Sequence, residues 1–264
     1  MPLRILLVIA LTAMAIAAQA PVCADDNPTR NCCNVTRIED CPLIGCDGDP
    51  ELNKKKNRTD TPTAPDVLPK TFTQLTAFKH PKKWSSGTLR TLLEGWGEGR
   101  SVQLTGYVFE VDDYPDGHET TNCHLATQAY NDFHITLVED LTLANKWIAA
   151  KEKIALADTP AKKKKAEDKA KAARKRVKAR SLTAEITPRL RLSGWTFDKL
   201  KDLERNFTYV RATGWAMLDT QHIAHPIGRR SNWELHPITM FEVCTATVAE
   251  CDAGTGWTPL QDMP

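Results

Sequence analysis

Five stretches of this chain alternate apolar and polar residues as β-strands do, and their order is the strongest constraint on the fold. In chain order they cover residues 101–111, 132–139, 184–190, 209–219 and 232–243. A short helix is predicted between the third and the fourth stretch, because Thr196 is a favourable N-cap and Asn206 marks an end. Five strands with a helix at that position are the order of an OB-fold barrel.

The predicted fold is therefore mainly β: an OB-fold-like five-stranded barrel with a helix between strands three and four. Gly106 and Gly214 lie inside the first and the fourth strand, where a missing side chain permits the sharp bends that a closed barrel requires. A basic helical insertion and a disulfide-rich N-terminal extension are expected to accompany the barrel. The alternative is a generic β-sandwich of five or six strands.

The first twenty residues have the three parts of a secretory signal peptide. Arg4 supplies the positive charge, residues 5–17 form an apolar run, and residues 18–20 give the cleavage pattern Ala-Gln-Ala. We therefore expect a mature chain that begins near Pro21 and is exported to the periplasm or the cell exterior. The mature chain has no further apolar stretch of the about 20 residues that a transmembrane helix needs.

All eight cysteines lie in the expected mature chain, and an even number in an exported protein predicts up to four disulfide bonds. They are Cys23, Cys32, Cys33, Cys41, Cys46, Cys123, Cys244 and Cys251. Cys244 and Cys251 are placed to close a short C-terminal loop, in which case Cys123 would pair with the N-terminal group. A zinc site in the N-terminal group is the alternative, although no C-x-x-C pair occurs there.

Composition divides the mature chain into two parts. Residues 21–68 are expected to form a cysteine-rich extension and linker, because residues 53–65 are rich in Asn, Lys, Thr and Pro and lack apolar periodicity. Residues 69–264 are expected to form the barrel domain, interrupted by a basic helical insertion at residues 141–180. Ala, Lys, Arg and Glu favour helix in the insertion, and Pro160 predicts a break within it.

The formal charge of +2 hides a strong asymmetry. Residues 151–180 hold ten Lys and three Arg against four acidic residues, so this stretch carries a formal +9 and the rest of the chain is acidic. A basic arm on an acidic body favours contact with an acidic polymer, nucleic acid or an anionic envelope surface. The binding candidates are Arg189, Lys162, Lys163, Lys164, Lys165, Arg174, Lys175 and Arg176. The alternative is a solvated helical excursion.

Polar residues on three of the predicted strands form a candidate site. In an OB-fold barrel the third strand pairs with the second and the fifth, so their side chains that point away from the core share one face. Two histidines and three carboxylates on that face are suited to bind a divalent metal or to act in general acid–base catalysis. The candidate metal ligands are Asp132, His134, Glu185, Glu234 and His236.

Four of these residues, His134, Glu185, Glu234 and His236, are also the catalytic candidates. Asp219 and His222 follow the fourth strand and are placed to reach the rim of the same face. The alternative is structural, because cross-strand pairs of opposite charge stabilise a sheet by about 0.2–1 kcal/mol each without any catalytic role.

The segments NDFHITLVED, AEITPRLR, GWAMLDTQH and NWELHPIT are scattered over residues 65–245. They resemble an uncharacterised group of exported bacterial proteins with an OB-like core. The resemblance implies a barrel fold and an exported bacterial setting. It supplies no catalytic residues, because no activity is established for that group, and the basic insertion is not an expected feature of it.

Three functions are compatible with these patterns. The leading expectation is an exported binding module that recognises an acidic polymer or an envelope partner through the basic helix and the polar barrel face. The first alternative is a hydrolase of phosphodiesters or esters with a divalent metal as cofactor, and the second is a structural envelope protein. The sequence lacks a Walker loop, a G-x-S-x-G elbow and an H-E-x-x-H motif, so it offers none of these common catalytic signatures.

Overall fold

A computed structural model describes residues 35–223 and 227–264 of the chain, so the predicted signal peptide and Cys23, Cys32 and Cys33 lie outside the described residues. The helices are α1 (Pro50–Lys56), α2 (Phe72–Thr76), α3 (Thr91–Trp96), α4 (Thr142–Ala155), α5 (Pro160–Lys178), α6 (Phe197–Arg205) and α7 (Val248–Asp252). The strands are β1 (Leu68–Lys70), β2 (Ser101–Asp112), β3 (Phe133–Val138), β4 (Leu182–Ile186), β5 (Tyr209–Leu218), β6 (Trp233–Cys244) and β7 (Trp257–Pro259).

Five strands close into a barrel. The order around it is β2-β3-β4-β6-β5, and β5 pairs back onto β2. Neighbouring barrel strands are antiparallel except β4 and β6, which run parallel. This is the OB-fold order, with the third and the fifth barrel strand as the parallel pair, so the predicted fold class is confirmed. The short strands β1 and β7 extend the sheet at β2 and β6 and are not predicted by the sequence.

The barrel interior is filled by alternate side chains of its strands. Phe133, Ile135 and Leu137 of β3 are buried there, together with Trp233 and Leu235 of β6. The predicted alternation therefore gives the correct core residues on these two strands. It also places the intervening polar side chains on the opposite face of the sheet, where the candidate site lies.

Helix α6 packs against the barrel core between the third and the fourth strand, as predicted. The Thr196 side chain accepts a hydrogen bond from the Lys199 amide at 3.3 Å and so caps the helix. Leu200 is buried in the barrel core, and Phe197 contacts Phe133 with 5.3 Å between ring centroids. The helix thus seals apolar strand residues from water.

Gly214 permits the close approach of β5 and β6. A Cβ atom at this position would lie 2.4 Å from the carbonyl oxygen of Pro237, a distance that no side chain tolerates. The pairing register of the two strands shifts on both sides of Gly214, as expected where a strand bends sharply. The predicted role of this glycine in strand curvature is confirmed.

The third barrel strand is shorter at its end than predicted. β4 ends at Ile186, because Pro188 has no amide hydrogen to donate to a neighbouring strand. The chain turns instead, and the Leu190 amide donates to the Thr187 carbonyl at 3.2 Å. Arg189 therefore lies in a turn and not on the strand.

Two described disulfides join distant and local parts of the chain. Cys41 pairs with Cys123 and ties the extension to the loop before β3, and Cys244 at the end of β6 pairs with Cys251 in α7. Both the predicted C-terminal pair and the predicted pairing of Cys123 with the N-terminal group are confirmed. Cys46 is disulfide-bonded as well, so the described cysteines of this group are not zinc ligands.

Residues 50–56 form a helix where the sequence predicts a linker. Asp49 caps α1 by accepting a hydrogen bond from the Glu51 amide at 3.1 Å, and Pro50 occupies the first turn, where its missing amide hydrogen costs nothing. Leu52 and Asn53 are buried against the rest of the molecule. The extension is therefore a packed layer of the structure.

The basic insertion folds into two helices, α4 and α5, joined by residues 156–159. Thr159 caps α5 and precedes Pro160, so the predicted break is confirmed. The base of this hairpin packs on the barrel through Trp147, whose ring lies 5.1 Å from that of Phe109. Neither helix, nor any other within the described chain, is long and apolar enough to span a membrane.

Candidate functional site

All five candidate metal ligands come together outside the barrel core. His134 stands opposite Glu185 in the β3–β4 register, and its Nε2 lies 3.4 Å from Glu185 Oε1. Glu185 Oε2 lies 2.6 Å from Nδ1 of His236, and His236 Nε2 lies 3.4 Å from Asp132 Oδ2. Glu234 Oε1 is 3.6 Å from the same Nδ1. We call these five residues the polar cluster.

The polar cluster is buried, which the strand pattern alone does not indicate. Glu185 is 3% exposed, and Asp132, Glu234 and His236 are exposed by 1% or less, whereas His134 remains partly accessible. The side chains point away from the barrel core as predicted, but a second layer covers them. That layer consists of the N-terminal extension and the loop before β3.

Lys56 brings a positive charge from the extension into the polar cluster. Its Nζ lies 3.6 Å from Glu185 Oε2, and its side chain is only 14% exposed. Burial lowers the pKa of Lys56, but the surrounding carboxylates, above all Glu185, outweigh burial and raise that pKa beyond its usual range. Asn57 holds this end of α1 in place, because its Nδ2 donates to the Thr121 carbonyl at 2.8 Å.

The loop before β3 places Glu119 beside the polar cluster. Glu119 Oε2 accepts hydrogen bonds from the Asp132 amide at 2.9 Å and from Asn122 Nδ2 at 2.6 Å. Burial and the neighbouring charge of Asp132 raise the pKa of Glu119 to about 8, so the carboxyl is mostly protonated at neutral pH. Its Oε1 lies 3.8 Å from His134 Nε2 and has no hydrogen-bond partner among the described residues.

A chain of charged contacts leads from Glu234 of the polar cluster to His222. Arg229 pairs with Glu234 at 2.5 Å and with Asp219, and Asp219 Oδ2 lies 2.5 Å from His222 Nδ1. Burial alone raises the pKa of Asp219, but the His222 hydrogen bond and the Arg229 charge hold that pKa well below its usual range. The ionised carboxylate favours the tautomer with hydrogen on Nδ1, which leaves the Nε2 lone pair of His222 available.

His134 of the polar cluster and His222 at the end of this chain of contacts line one surface cleft of about 260 Å³. The lining residues are Asn53, Lys56, Tyr114, His118, Glu119, Thr120, Thr121, His134, Gln221 and His222. The Tyr114 ring contacts the His134 ring edge-on at 4.9 Å between centroids, and burial raises the pKa of Tyr114 to about 12, so its hydroxyl stays a donor. The cleft therefore combines several proton-carrying groups with a lysine.

The buried charges beneath the cleft nearly balance one another. Burial lowers the pKa of His236, but the adjacent Glu185 outweighs burial and raises that pKa to about 10. Burial raises the pKa of Glu185, yet the charges of His134, Lys56 and His236 hold it well below its usual range. The buried carboxylates are Asp132, Glu185, Asp219 and Glu234, and the buried cations are Lys56, Arg229 and His236.

Three members of the polar cluster are also arranged as metal ligands. One ligand atom from each of Asp132, Glu185 and His236 lies within 4.8 Å of the other two. Asp132 Oδ2 and His236 Nε2 lie 3.4 Å apart, and neither has a hydrogen-bond partner in the described part of the chain. An imidazole and two carboxylates form a set that divalent transition metals accept.

The predicted binding residues do not join the cleft. Arg189 donates to Asn57 Oδ1 at 2.9 Å and to the Cys41 carbonyl at 2.6 Å, so it anchors the extension and lies in a turn instead of on the predicted strand. Arg174 pairs with Glu110 at the base of the hairpin. The remaining candidates are exposed on the hairpin: Lys162, Lys163, Lys164, Lys165, Lys175 and Arg176.

The cleft residues that the sequence does not identify include Lys56, Tyr114 and Glu119. Lys56 follows Leu52 by one helical turn, so recognising the Asp49-Pro50 helix start would have placed both on one buried face. Tyr114 and Glu119 lie in a loop without strand alternation, for which the nearby Cys123 is the only sign of a fixed position.

No family model, curated protein or solved structure matches this chain, so functional inference depends on the geometry of its own residues.

Proposed function

We propose that the protein is a hydrolase of phosphodiesters or similar anionic esters that acts by general acid–base catalysis in the cleft. One observation carries this proposal: His222, oriented by Asp219, and Glu119, protonated at neutral pH, line the same cleft. A protonated carboxyl and an imidazole oriented by a carboxylate, both facing one cleft, can act as the acid and the base of such a reaction. Lys56 in the cleft lining favours an anionic substrate.

In this mechanism His222 is the general base and Glu119 the general acid. Nε2 of His222 takes a proton from water while the water oxygen attacks phosphorus. The ester P–O bond breaks, and Glu119 Oε1 gives its proton to the leaving oxygen. Lys56 stabilises the negative charge that develops on the phosphoryl oxygens, as cations do in phosphoryl transfer. His134, which lies beside Glu119 in the cleft lining, contacts the substrate there.

The predicted catalytic roles of Glu185, Glu234 and His236 are replaced by positioning roles. Their burial keeps them from touching a substrate in the cleft. Glu185 instead holds His134 at 3.4 Å, and Glu234 holds Arg229, which in turn orients Asp219.

A metal-dependent hydrolase is the second candidate, and the convergence of Asp132, Glu185 and His236 favours it. A metal on these ligands would require His236 to lose its proton and would compete with Lys56 for Glu185. Elemental analysis of protein purified without chelator distinguishes the two candidates. A stoichiometric transition metal that is lost in Glu185→Gln, with the circular dichroism spectrum unchanged, replaces the first candidate by the second.

The acid–base proposal is tested with bis(p-nitrophenyl) phosphate as substrate. We expect His222→Asn and Glu119→Gln each to lower kcat/KM by about 10²-fold or more, the usual contribution of one proton-transfer group. Activity of the native protein falls as pH rises above about 8, because Glu119 then loses its proton, and Glu119→Gln removes this limb of the pH profile.

His80→Asn is the matched control, since His80 is exposed and does not line the cleft. Its kcat/KM and pH profile are expected to equal those of the native protein. The proposal is overturned if the native protein hydrolyses neither the phosphodiester nor p-nitrophenyl acetate, or if both cleft variants keep native activity.

A further inference from the structure

The α4–α5 hairpin carries a groove that combines an apolar floor with a basic rim. The groove has a volume of about 550 Å³. Its lining consists of Lys146, Ala149, Ala150, Lys153, Leu156, Ala157, Lys162, Lys165, Ala166 and Lys169. On each helix these residues recur three and four positions apart, so each helix turns one face toward the groove. Five lysines and no acidic residue belong to this lining.

The groove lysines are largely without counter-charges. Lys162 pairs with Asp158 at 2.9 Å, and within the described chain the other four groove lysines form no ion pair. The base of the hairpin differs, because Arg174 and Lys178 both pair with Glu110 there. Positive charge is thus neutralised where the hairpin meets the barrel and left free along the groove.

The far end of the hairpin exposes a large apolar side chain. Leu156 follows α4 directly and is 81% exposed, the highest value among the large apolar residues described. The base is fixed on the barrel through Trp147 and the buried Val177, so the groove and Leu156 are presented by an anchored arm. An anchored arm with lysines and an apolar tip has the composition of a segment that lies on a membrane surface.

We propose that the α4–α5 hairpin docks on a bilayer that contains anionic phospholipids. The groove lysines contact lipid phosphates, and Leu156 with the alanine floor contacts the acyl boundary. A nucleic acid fits less well, because single strands are bound by stacking on aromatic rings and the groove lining has none. The docking does not depend on hydrolysis in the cleft.

Co-sedimentation of the full chain with vesicles tests the docking. We compare vesicles of phosphatidylcholine with vesicles that also contain phosphatidylglycerol, and the readout is the ratio of the two partition coefficients. Lys153→Gln combined with Lys165→Gln is expected to lower this ratio about 25-fold, since each lysine at an anionic surface contributes about fivefold. Leu156→Ser is expected to weaken binding to the anionic vesicles about tenfold.

Two controls separate the groove from general charge and general apolarity. Lys82→Gln with Lys83→Gln removes two exposed lysines outside the hairpin, and Leu89→Ser removes an exposed leucine outside the hairpin. Both are expected to bind as the native chain does. The proposal is overturned if the native chain shows no preference for anionic vesicles, if the control lysines matter as much as the groove lysines, or if single-stranded DNA binds tightly at a salt concentration where vesicles do not.

Discussion

The polar cluster with its neighbouring cations and the α4–α5 hairpin both hold many charged residues, but the charges are buried in the first region and exposed in the second. In and beside the polar cluster, each buried cation faces a carboxylate, as the neighbouring Lys56 faces Glu185 and the neighbouring Arg229 faces Glu234. Along the hairpin groove the lysines are exposed and mostly unpaired. Removing a charge from water costs several kcal/mol unless a partner replaces the solvent, whereas an exposed charge needs none. Paired charges therefore hold side chains in place at the polar cluster, whereas the unpaired lysines of the hairpin create a positive potential at its surface.

The largest difference between the two regions is expected for the loss of one carboxylate. Glu185→Ala leaves Lys56 and His236 buried without their nearest counter-charge, so the free energy of unfolding should fall by about 3–5 kcal/mol. Glu167→Ala on the exposed surface of α5 should change it by less than about 0.5 kcal/mol. Urea unfolding measures both. Equal losses for the two variants would contradict the contrast between buried and exposed charge.

The next largest effect is expected for the disulfide that ties the covering layer to the barrel. Cys41→Ala with Cys123→Ala opens a link between residues 82 positions apart, and should cost about 2–4 kcal/mol of unfolding free energy. Cys244→Ala with Cys251→Ala is the control, because that link spans only 7 positions and constrains the unfolded chain less. A larger loss in the C-terminal variant would show that the extension is not held by its disulfide.

Much of the polar cluster follows from the sequence, because strand alternation and barrel order are both local or topological rules. Alternation sets His134, Glu185 and His236 apart from the core residues between them, and the OB-fold order brings their strands together. The extent of each strand is less predictable. Pro188 shortens β4 and moves Arg189 into a turn that supports the extension.

The covering layer is beyond sequence reasoning because it depends on contacts between distant residues. Lys54, Lys55 and Lys56 are alike as residues, yet only Lys56 is directed onto the cluster, while Lys54 pairs with Glu51 and Lys55 with Glu94 at the surface. The side of α1 from which each lysine projects decides its partner, because consecutive residues point in different directions around the helix axis. Whether a polar face is buried thus depends on the segments that pack over it. Alternation within a strand carries no information about those segments.

A smaller change in stability is expected when pH alters the protonation of buried groups near the cleft. The folded pKa of His236 is about 10, above its ordinary 6.5, so its stabilising contribution is complete below pH 6.5 and is lost as pH rises through 10. Glu119, with a folded pKa of about 8 against an ordinary 4.5, contributes in the same direction between those values.

Thermal unfolding from pH 5 to 10, with a chelator present, should therefore show a falling Tm. Asp219 and Glu185 act oppositely, because their lowered pKa values stabilise the fold above their ordinary range and lose that effect as pH falls through the folded pKa. Glu119→Gln should flatten the curve between pH 5 and 8. A Tm that is constant over the whole alkaline range would contradict the protonated state of His236 in the fold.

The smallest expected effect concerns helix stability in the hairpin, where it runs against binding. Lys162, Lys165 and Lys169 lie three and four positions apart on one face of α5, so they repel one another and weaken the helix. Lys165→Glu replaces repulsion by a pair with Lys169 and should stabilise α5 by about 0.2–0.5 kcal/mol, measured as slower amide exchange in α5. The same variant should bind anionic vesicles more weakly, and both effects should shrink at high salt. If the groove lysines bound no lipid and only kept the helix in water, Lys165→Glu would stabilise α5 without any loss of vesicle binding.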